Sequence, residues 1–333
     1  MTDIFLEDRP SNKAGCLRLL IVALIAGGIV FAVMKGCEKY NKKLEPAGER
    51  STPETGNLPA EPPSVIPAPE QLQATPTGST PGSATPERKE AGAPSNPDSQ
   101  TALTNAREMY AQKSFKEARS LGFDALDRAG NATDQQAAEA FLGTLHIEMI
   151  FSQIPMEEKV DYRIKSGDLV SKLSRTYKTT DRLIMRSNGI RDAARIQIGD
   201  GLRILNGTFK ISVDKSDNLM LIMLNDRFFK RYKVGTGEYN KTPIGTFKVK
   251  NRMIEPDWWR PDGKKIPYGD PEHLLGTRWI GLDIKSYGIH GTRENERNTI
   301  GTQSSAGCVR MLNEEVEELY DYIPLGTEVI ISD

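Results

Sequence analysis

Twelve of the twenty prolines in this chain fall between Leu44 and Gln100, among Ser, Thr, Gly, Ala and Glu with few large apolar side chains. Such a stretch cannot bury enough apolar surface to offset the entropy of ordering it, so it reads as a disordered linker. As a flexible coil its 57 residues span roughly 40 Å. The linker divides the chain. Ahead of it, Leu17 to Met34 is an 18-residue apolar run in which only Arg18 is charged. That is long enough for a transmembrane helix and long for a signal-peptide core, with residues 1–16 as a short cytoplasmic segment. Behind it lie about 230 residues, room for two or three small domains.

The balance of the chain excludes several classes. Formal net charge is −1, so nothing suggests a nucleic-acid partner. Of three cysteines, Cys16 and Cys37 flank the apolar run, leaving Cys308 without a disulfide partner in the folded part. No His/Cys/carboxylate cluster has metal-ligand spacing, and no cofactor is expected.

Chemistry concentrates near the C-terminus. Tyr287-Gly288-Ile289-His290-Gly291-Thr292 is followed by Ser304-Ser305-Ala306-Gly307-Cys308-Val309-Arg310-Met311. A thiol needs a base to act as a nucleophile near neutral pH, and imidazole suits that task. Gly291 and Gly307 would let backbone N–H groups approach a reacting carbonyl closely. The pattern resembles the L,D-transpeptidase (YkuD-type) catalytic domain, and the likeness runs from Phe209 to Asp333. It implies a mostly β fold, Cys308 as nucleophile and His290 as general base. It further implies that the Gly291 carbonyl orients the imidazole, that Ser305 and Gly307 belong to the motif, and that Arg310 holds the site and a peptide substrate. One position departs: Ala306 stands where the family pattern has a second His. His273 lies too far up the chain, in too polar a loop, to replace it.

The local pattern agrees with a β-rich domain. Phe209 to Asp214 and Leu219 to Leu224 read as strands, joined by a polar turn at Lys215-Ser216-Asp217-Asn218. Two further strands are expected around Tyr232–Gly237 and Thr242–Phe247. Residues 251–275, rich in Pro and Gly and carrying Trp258 and Trp259, read as a long loop, either surface cover or a lid over the site. Asn313 to Tyr322 reads as a helix with Asn313 as N-cap, and Thr327 to Ser332 as a closing strand.

Residues 160–206 read as strand, two helices, strand. They resemble a LysM module in the Lys165-Ser166-Gly167-Asp168 start, the Asn188-Gly189 turn and the Ile198-Gly199-Asp200-Gly201-Leu202 ending. The resemblance implies binding of N-acetylglucosamine-containing glycan, placed around Gly167, Asp168, Asn188, Gly189 and Ile190; the alternative is a small α+β spacer. Upstream, 101–155 is helical. Ala106, Met109, Tyr110, Phe115, Ala118, Leu121 and Leu126 recur at helical spacing, Gly130-Asn131 breaks the run, and Thr133 is read as the next N-cap. The Ala106, Tyr110, Phe115, Ala118 spacing resembles a tetratricopeptide hairpin. A single repeat must dock on the LysM module, a protein partner or a second copy.

The expected protein is multidomain: an N-terminal transmembrane helix, a disordered linker, an α-helical hairpin segment, an α+β LysM module and a mostly β L,D-transpeptidase catalytic domain (209–333). The implied reaction cross-links peptidoglycan stem peptides through a cysteine thioester. Alternatives are an L,D-carboxypeptidase or a catalytically idle wall-binding protein. Partners would be glycan strands, stem peptides and the membrane. Basic residues after the apolar run outnumber those before it, which alone would put the C-terminal side in the cytoplasm. Two wall-directed modules argue for the opposite, extracytoplasmic placement on a bacterial cell membrane. Lys35, two before Cys37, fits lipoprotein processing poorly, so an uncleaved anchor is expected.

Overall fold

The structure is a computed structural model that describes residues 94–333. The apolar run Leu17 to Met34, residues 1–16, Cys37 and the linker up to residue 93 lie outside the described residues. Among the described ones, no helix is long and apolar enough to cross a membrane.

Three helices come first: α1 (Pro97–Ala111), α2 (Phe115–Asp127) and α3 (Ala132–Ile150). The first starts four residues ahead of Thr101. Asn96 accepts the Asp98 N–H and Pro97 occupies the first turn, so the end of the Pro-rich stretch is a helix start. Asn131, not Thr133, caps α3, its side chain accepting the Asp134 N–H at 2.8 Å. The β-branched residue falls inside the helix, one place past Ala132.

A small module follows: β1 (Lys159–Arg163), α4 (Val170–Thr176), α5 (Asp181–Ser187) and β2 (Gly201–Leu205). Its strands pair antiparallel, and Ile164, Val170, Leu173, Ile184, Leu202 and Ile204 form its own core. The Thr180 hydroxyl caps α5 through the Leu183 N–H.

The C-terminal domain is built on an eight-stranded mixed sheet. Its strands are β3 (Phe209–Asp214), β4 (Leu219–Leu224), β5 (Arg227–Lys233), β7 (Gly245–Ile254), β10 (Arg278–Leu282), β11 (Gly288–His290), β13 (Val309–Arg310) and β14 (Glu328–Ser332), in the order β13-β11-β10-β7-β14-β3-β4-β5. Short pairs β6 (Thr236–Gly237) with β12 (Gln303–Ser305), and β8 (Trp258–Trp259) with β9 (Lys265–Ile266), lie beside it. Helix α6 (Asn313–Tyr322) buries Val316, Leu319, Tyr320 and Tyr322. Residues 251–275 are therefore not one irregular loop. Strand β7 continues to Ile254 and a hairpin follows, with Trp258 half-buried and Trp259 exposed.

Strand β4 reads Leu-Met-Leu-Ile-Met-Leu, apolar on both faces. The helical segment explains why. Phe123 and Leu142 pack on Leu221 and Phe228 on one side, while Met220, Ile222 and Leu224 enter the main core on the other. The helices dock on this sheet, which was not among the expected sites (the LysM module, a protein partner or a second copy). Leu145, Met149 and Ile150 join the same core, each fully buried side chain contributing roughly 1.5–3 kcal/mol. A polar contact fixes the seating. His146 Nδ1 donates to the Phe229 carbonyl at 2.8 Å, and its Nε2 accepts from Arg119 Nε at 3.0 Å. Arg119 in turn pairs with Glu158 at 2.6 Å. The small module is tied to α6: Asp321 accepts from Arg182 and Arg186, and the Thr180 hydroxyl donates to the Asp321 carbonyl.

Burial, helped by the Arg119 charge, pushes His146 down to about 3. An unfolded histidine titrates near 6.5, so between those values the unfolded chain takes up a proton that the folded one refuses. The resulting stability is complete above about pH 6.5 and is lost as pH falls through that window. His146→Gln keeps both hydrogen-bonding roles and removes the titration. Thermal unfolding across pH 7 to 4 should show a smaller loss of stability in the variant than in the wild type, the remainder coming from His290 and the paired carboxylates, which titrate with the same sign. Equal slopes would contradict this account.

Candidate active site

Three neighbouring strands assemble the site. Parallel pairing of β11 with β13 sets His290 beside Arg310, two residues past Cys308. Antiparallel pairing of β10 with β11 sets Trp279 beside His290. The imidazole is buried, and its Nδ1 lies 2.6 Å from the Gly291 carbonyl. A carbonyl only accepts, so Nδ1 carries the proton and Nε2 keeps its lone pair. Trp279 stacks on the imidazole with ring centroids 5.9 Å apart and 23° between planes. The Trp279 indole N–H is fixed by the Asn251 side-chain oxygen at 3.0 Å.

Cys308 keeps an opening to solvent. Its Sγ faces the Ser286 carbonyl at 3.6 Å, and the Gly288 N–H points at the sulfur. A side chain at position 288 would meet the Trp279 ring at 2.7 Å, so only glycine fits there. The packed surroundings raise the thiol to about 11, with the Gly288 N–H and the Arg310 charge opposing. Burial is likewise the largest influence on His290, lowering it to about 4; the Gly291 hydrogen bond opposes this and Arg310 adds to it. At neutral pH both partners are therefore uncharged, and among the described residues no hydrogen bond joins them.

Ser305 builds the Cys308 loop. Its hydroxyl donates to the Cys308 carbonyl at 2.7 Å and accepts the Gly307 N–H at 3.0 Å. The expectation that Gly291 and Gly307 offer free N–H groups to a reacting carbonyl is corrected. The Gly307 N–H is spent on Ser305, and the Gly291 N–H donates to the Arg278 carbonyl at 3.3 Å. Both glycines serve close packing instead. Arg310 is buried, with Nη1 on Glu296 at 3.2 Å and Nη2 on the Ser304 hydroxyl at 2.5 Å. It braces the 294–299 turn against the loop. Ala306 is exposed, so the departure from the family pattern lies on the loop's outer surface.

Three residues were missed or misjudged. Trp279 gave a usable signal, an aromatic in an apolar strand just upstream of His290. Asn313 is not an N-cap: α6 begins at it, and its amide bonds Thr277 and Thr292, just outside β10 and β11. His273, read as lying in a polar loop, is buried, its Nε2 donating to the Pro256 carbonyl at 2.7 Å.

In the small module, Asp168 accepts from the Tyr162 hydroxyl at 2.6 Å and the Lys165 N–H at 2.8 Å. The Asn188 amide bridges the Ile184 carbonyl and both backbone groups of Arg203. Their polar atoms build turns. Gly167 and Gly189 are exposed with positive φ, and Ile190 packs on the module core.

Comparison with known proteins places this geometry. Residues 208–331 match the family model of the L,D-transpeptidase catalytic domain, and 162–204 match that of the LysM domain. YqjB of Bacillus subtilis (strain 168), assigned by name to the L,D-transpeptidases, is 38% identical over 135 residues, spanning 39% of this chain and 74% of that protein. The chain belongs to the L,D-transpeptidase family. A second relative assigned by name to these L,D-transpeptidases, YkuD of Bacillus licheniformis, is 28% identical over 179 residues, covering 51% of this chain and 98% of its own. Among solved structures, an L,D-transpeptidase from Mycobacterium smegmatis aligns at a TM-score of 0.33 and 17% identity, over 41% of this chain and 65% of that one.

Gly307 sits at φ +132°, and a Cβ there would meet the Tyr287 ring at 2.8 Å. Gly307→Ala should lower the rate of Cys308 alkylation or turnover roughly a hundredfold through displacement of the thiol, with a fall of roughly a few degrees in melting temperature from the strain. A fully active variant would show that the loop tolerates the shift.

Proposed function

We propose that this L,D-transpeptidase-family protein cross-links peptidoglycan stem peptides through a thioester on Cys308. The observation that carries the reading is an imidazole with its free lone pair on Nε2, on a strand whose pairing sets His290 beside Arg310, two residues past Cys308, the only thiol among the described residues. Nε2 takes the Sγ proton as the sulfur attacks the carbonyl of the third, L-centred residue of a tetrapeptide stem. The Gly288 N–H stabilises the developing thiolate, and the Cys308 N–H receives the oxyanion, since that of Gly307 is already used. Collapse breaks the peptide bond, and the imidazolium returns its proton to the departing D-alanine amine. An incoming amine then displaces sulfur to form the cross-link; water would leave a shortened stem. Arg310 lends positive charge to the site from its buried position.

The same reading gives the other parts their work. The module at 160–206 holds glycan, using the turns at Gly167–Asp168 and Asn188–Ile190 with exposed Leu169 and Ile198 close to the first of them. The run Leu17 to Met34 anchors the chain in the membrane as a single pass, and the linker lets the folded part, from the helical segment to residue 333, reach the wall outside the cytoplasm.

The test is intact-mass and product analysis of the full-length chain with tetrapeptide muropeptides, beside Cys308→Ala. A thioester adduct absent from the variant, with a cross-linked dimer, is expected. Adduct with only trimmed stems would make the protein an L,D-carboxypeptidase. Glycan binding with neither adduct nor product would overturn the catalytic claim.

The pH profile follows from the neutral pair. The base works only when deprotonated, and burial holds His290 down to about 4. Turnover should therefore stay level from about pH 6 to 8 and fall only toward the acid limb. His290→Ala should lower it roughly 10²–10⁴-fold. An activity midpoint near 6.5 would contradict a buried neutral base.

A further inference from the structure

Helix α6 begins at Asn313 without a side-chain cap, although asparagine is among the best capping residues. The amide is used elsewhere. Its Nδ2 donates to the Thr292 carbonyl at 2.9 Å, and its Oδ1 accepts the Thr277 N–H at 3.1 Å. Thr292 follows Gly291, whose carbonyl holds the His290 imidazole; Thr277 leads into β10, which carries Trp279 against the other side of that ring.

Two glycines make room for this contact. A Cβ on Gly291 would lie 2.1 Å from the Asn313 Oδ1, and one on Gly276 would lie 2.3 Å from the same atom and 2.7 Å from the Gly291 Cα. Gly276 also needs its positive φ of 62°. The Met311 N–H donates to the His290 carbonyl at 2.9 Å, so the run from β13 into α6 grips both ends of the short His290–Thr292 stretch. Without the amide, the Thr292 carbonyl and Thr277 N–H lose a shared partner, and the Gly291 peptide is free to rotate about its glycine. Rotation of that peptide would remove the acceptor from Nδ1 and with it the tautomer that leaves Nε2 basic.

We propose that Asn313 is a positioning residue for the base: its amide locks the Gly291–Thr292 backbone so that the Gly291 carbonyl keeps the His290 proton on Nδ1. It touches no substrate. The inference rests on His290 being the base, and the experiment separates failure of one from failure of the other.

The rate of Cys308 alkylation by iodoacetamide at pH 7 is measured in the full-length chain for wild type, Asn313→Asp, Asn313→Ala, His290→Ala and the His290→Ala/Asn313→Ala pair, with melting temperatures alongside. Asn313→Asp keeps the shape and the acceptor but cannot donate to the Thr292 carbonyl. Both single Asn313 variants should slow alkylation roughly tenfold, with turnover showing lower kcat at unchanged KM. In the His290→Ala background the second substitution should add nothing, because the residue acts through the ring. Equal slowing in both backgrounds would mean a general loosening of the loop and overturn the proposal. So would wild-type rates in Asn313→Asp. If His290→Ala alone alkylates and turns over like wild type, the assignment of the base fails first, whatever Asn313 does.

Discussion

The hydrogen bond from His290 Nδ1 to the Gly291 carbonyl, 2.6 Å long, decides the chemistry available here. A residue bonded to the backbone of its own neighbour needs no third side chain to set its tautomer, and no carboxylate is needed beside the ring. Burial, against the pull of that hydrogen bond, makes the ring a weak base in a dry place. Burial disfavours imidazolium and thiolate alike, so the pair rests uncharged. Under the proposed function, proton transfer would accompany the attack on substrate. Much of the surrounding structure serves to keep that arrangement in register: Trp279 on the ring face, Ser305 under the loop, Arg310 and Glu296 behind it.

The rest of the molecule is fastened to this centre. Helix α6 starts one residue after Leu312 beside the site and ends at the Asp321 contacts with Arg182, Arg186 and Thr180 of the small module. One ten-residue helix thus joins catalytic strand and LysM-family module. On the other side of the sheet, α2 and α3 cover β4 and β5, the edge farthest from β13 in strand order. A glycan held by the module would be presented to a body in which module, sheet and helices are packed together, not hung on flexible joints.

Much of the fold was legible because its signals are local. Strands β3 and β4, helix α6 and the strand-helix-helix-strand order of the small module follow from period and turn chemistry. His290 and Cys308 were legible from residue type and from their small neighbours. The Asn96-Pro97-Asp98 helix start was hidden by the proline-rich composition around it, and the capping role of Thr133 was displaced by Asn131 two residues earlier. What pairing alone reveals was not legible. The N–H groups of Gly291 and Gly307 are occupied by Arg278 and Ser305, which only the assembled strands show. His273 is buried by a hairpin that the Pro and Gly content disguised as loop. The need for glycine at 288 comes from the Trp279 ring, which stands where a side chain would otherwise be.

The protonation state of the pair tests the account most directly. Imidazole nitrogen shifts of His290 in the free enzyme, followed by NMR over a pH titration alongside thiolate absorbance of Cys308, report both partners at once. A neutral ring protonated on Nδ1 from about pH 5 upward, with no thiolate signal near pH 7, is the expected result. An imidazolium with a thiolate at neutral pH would mean that the site rests as an ion pair, and that the buried neutral base described here is wrong.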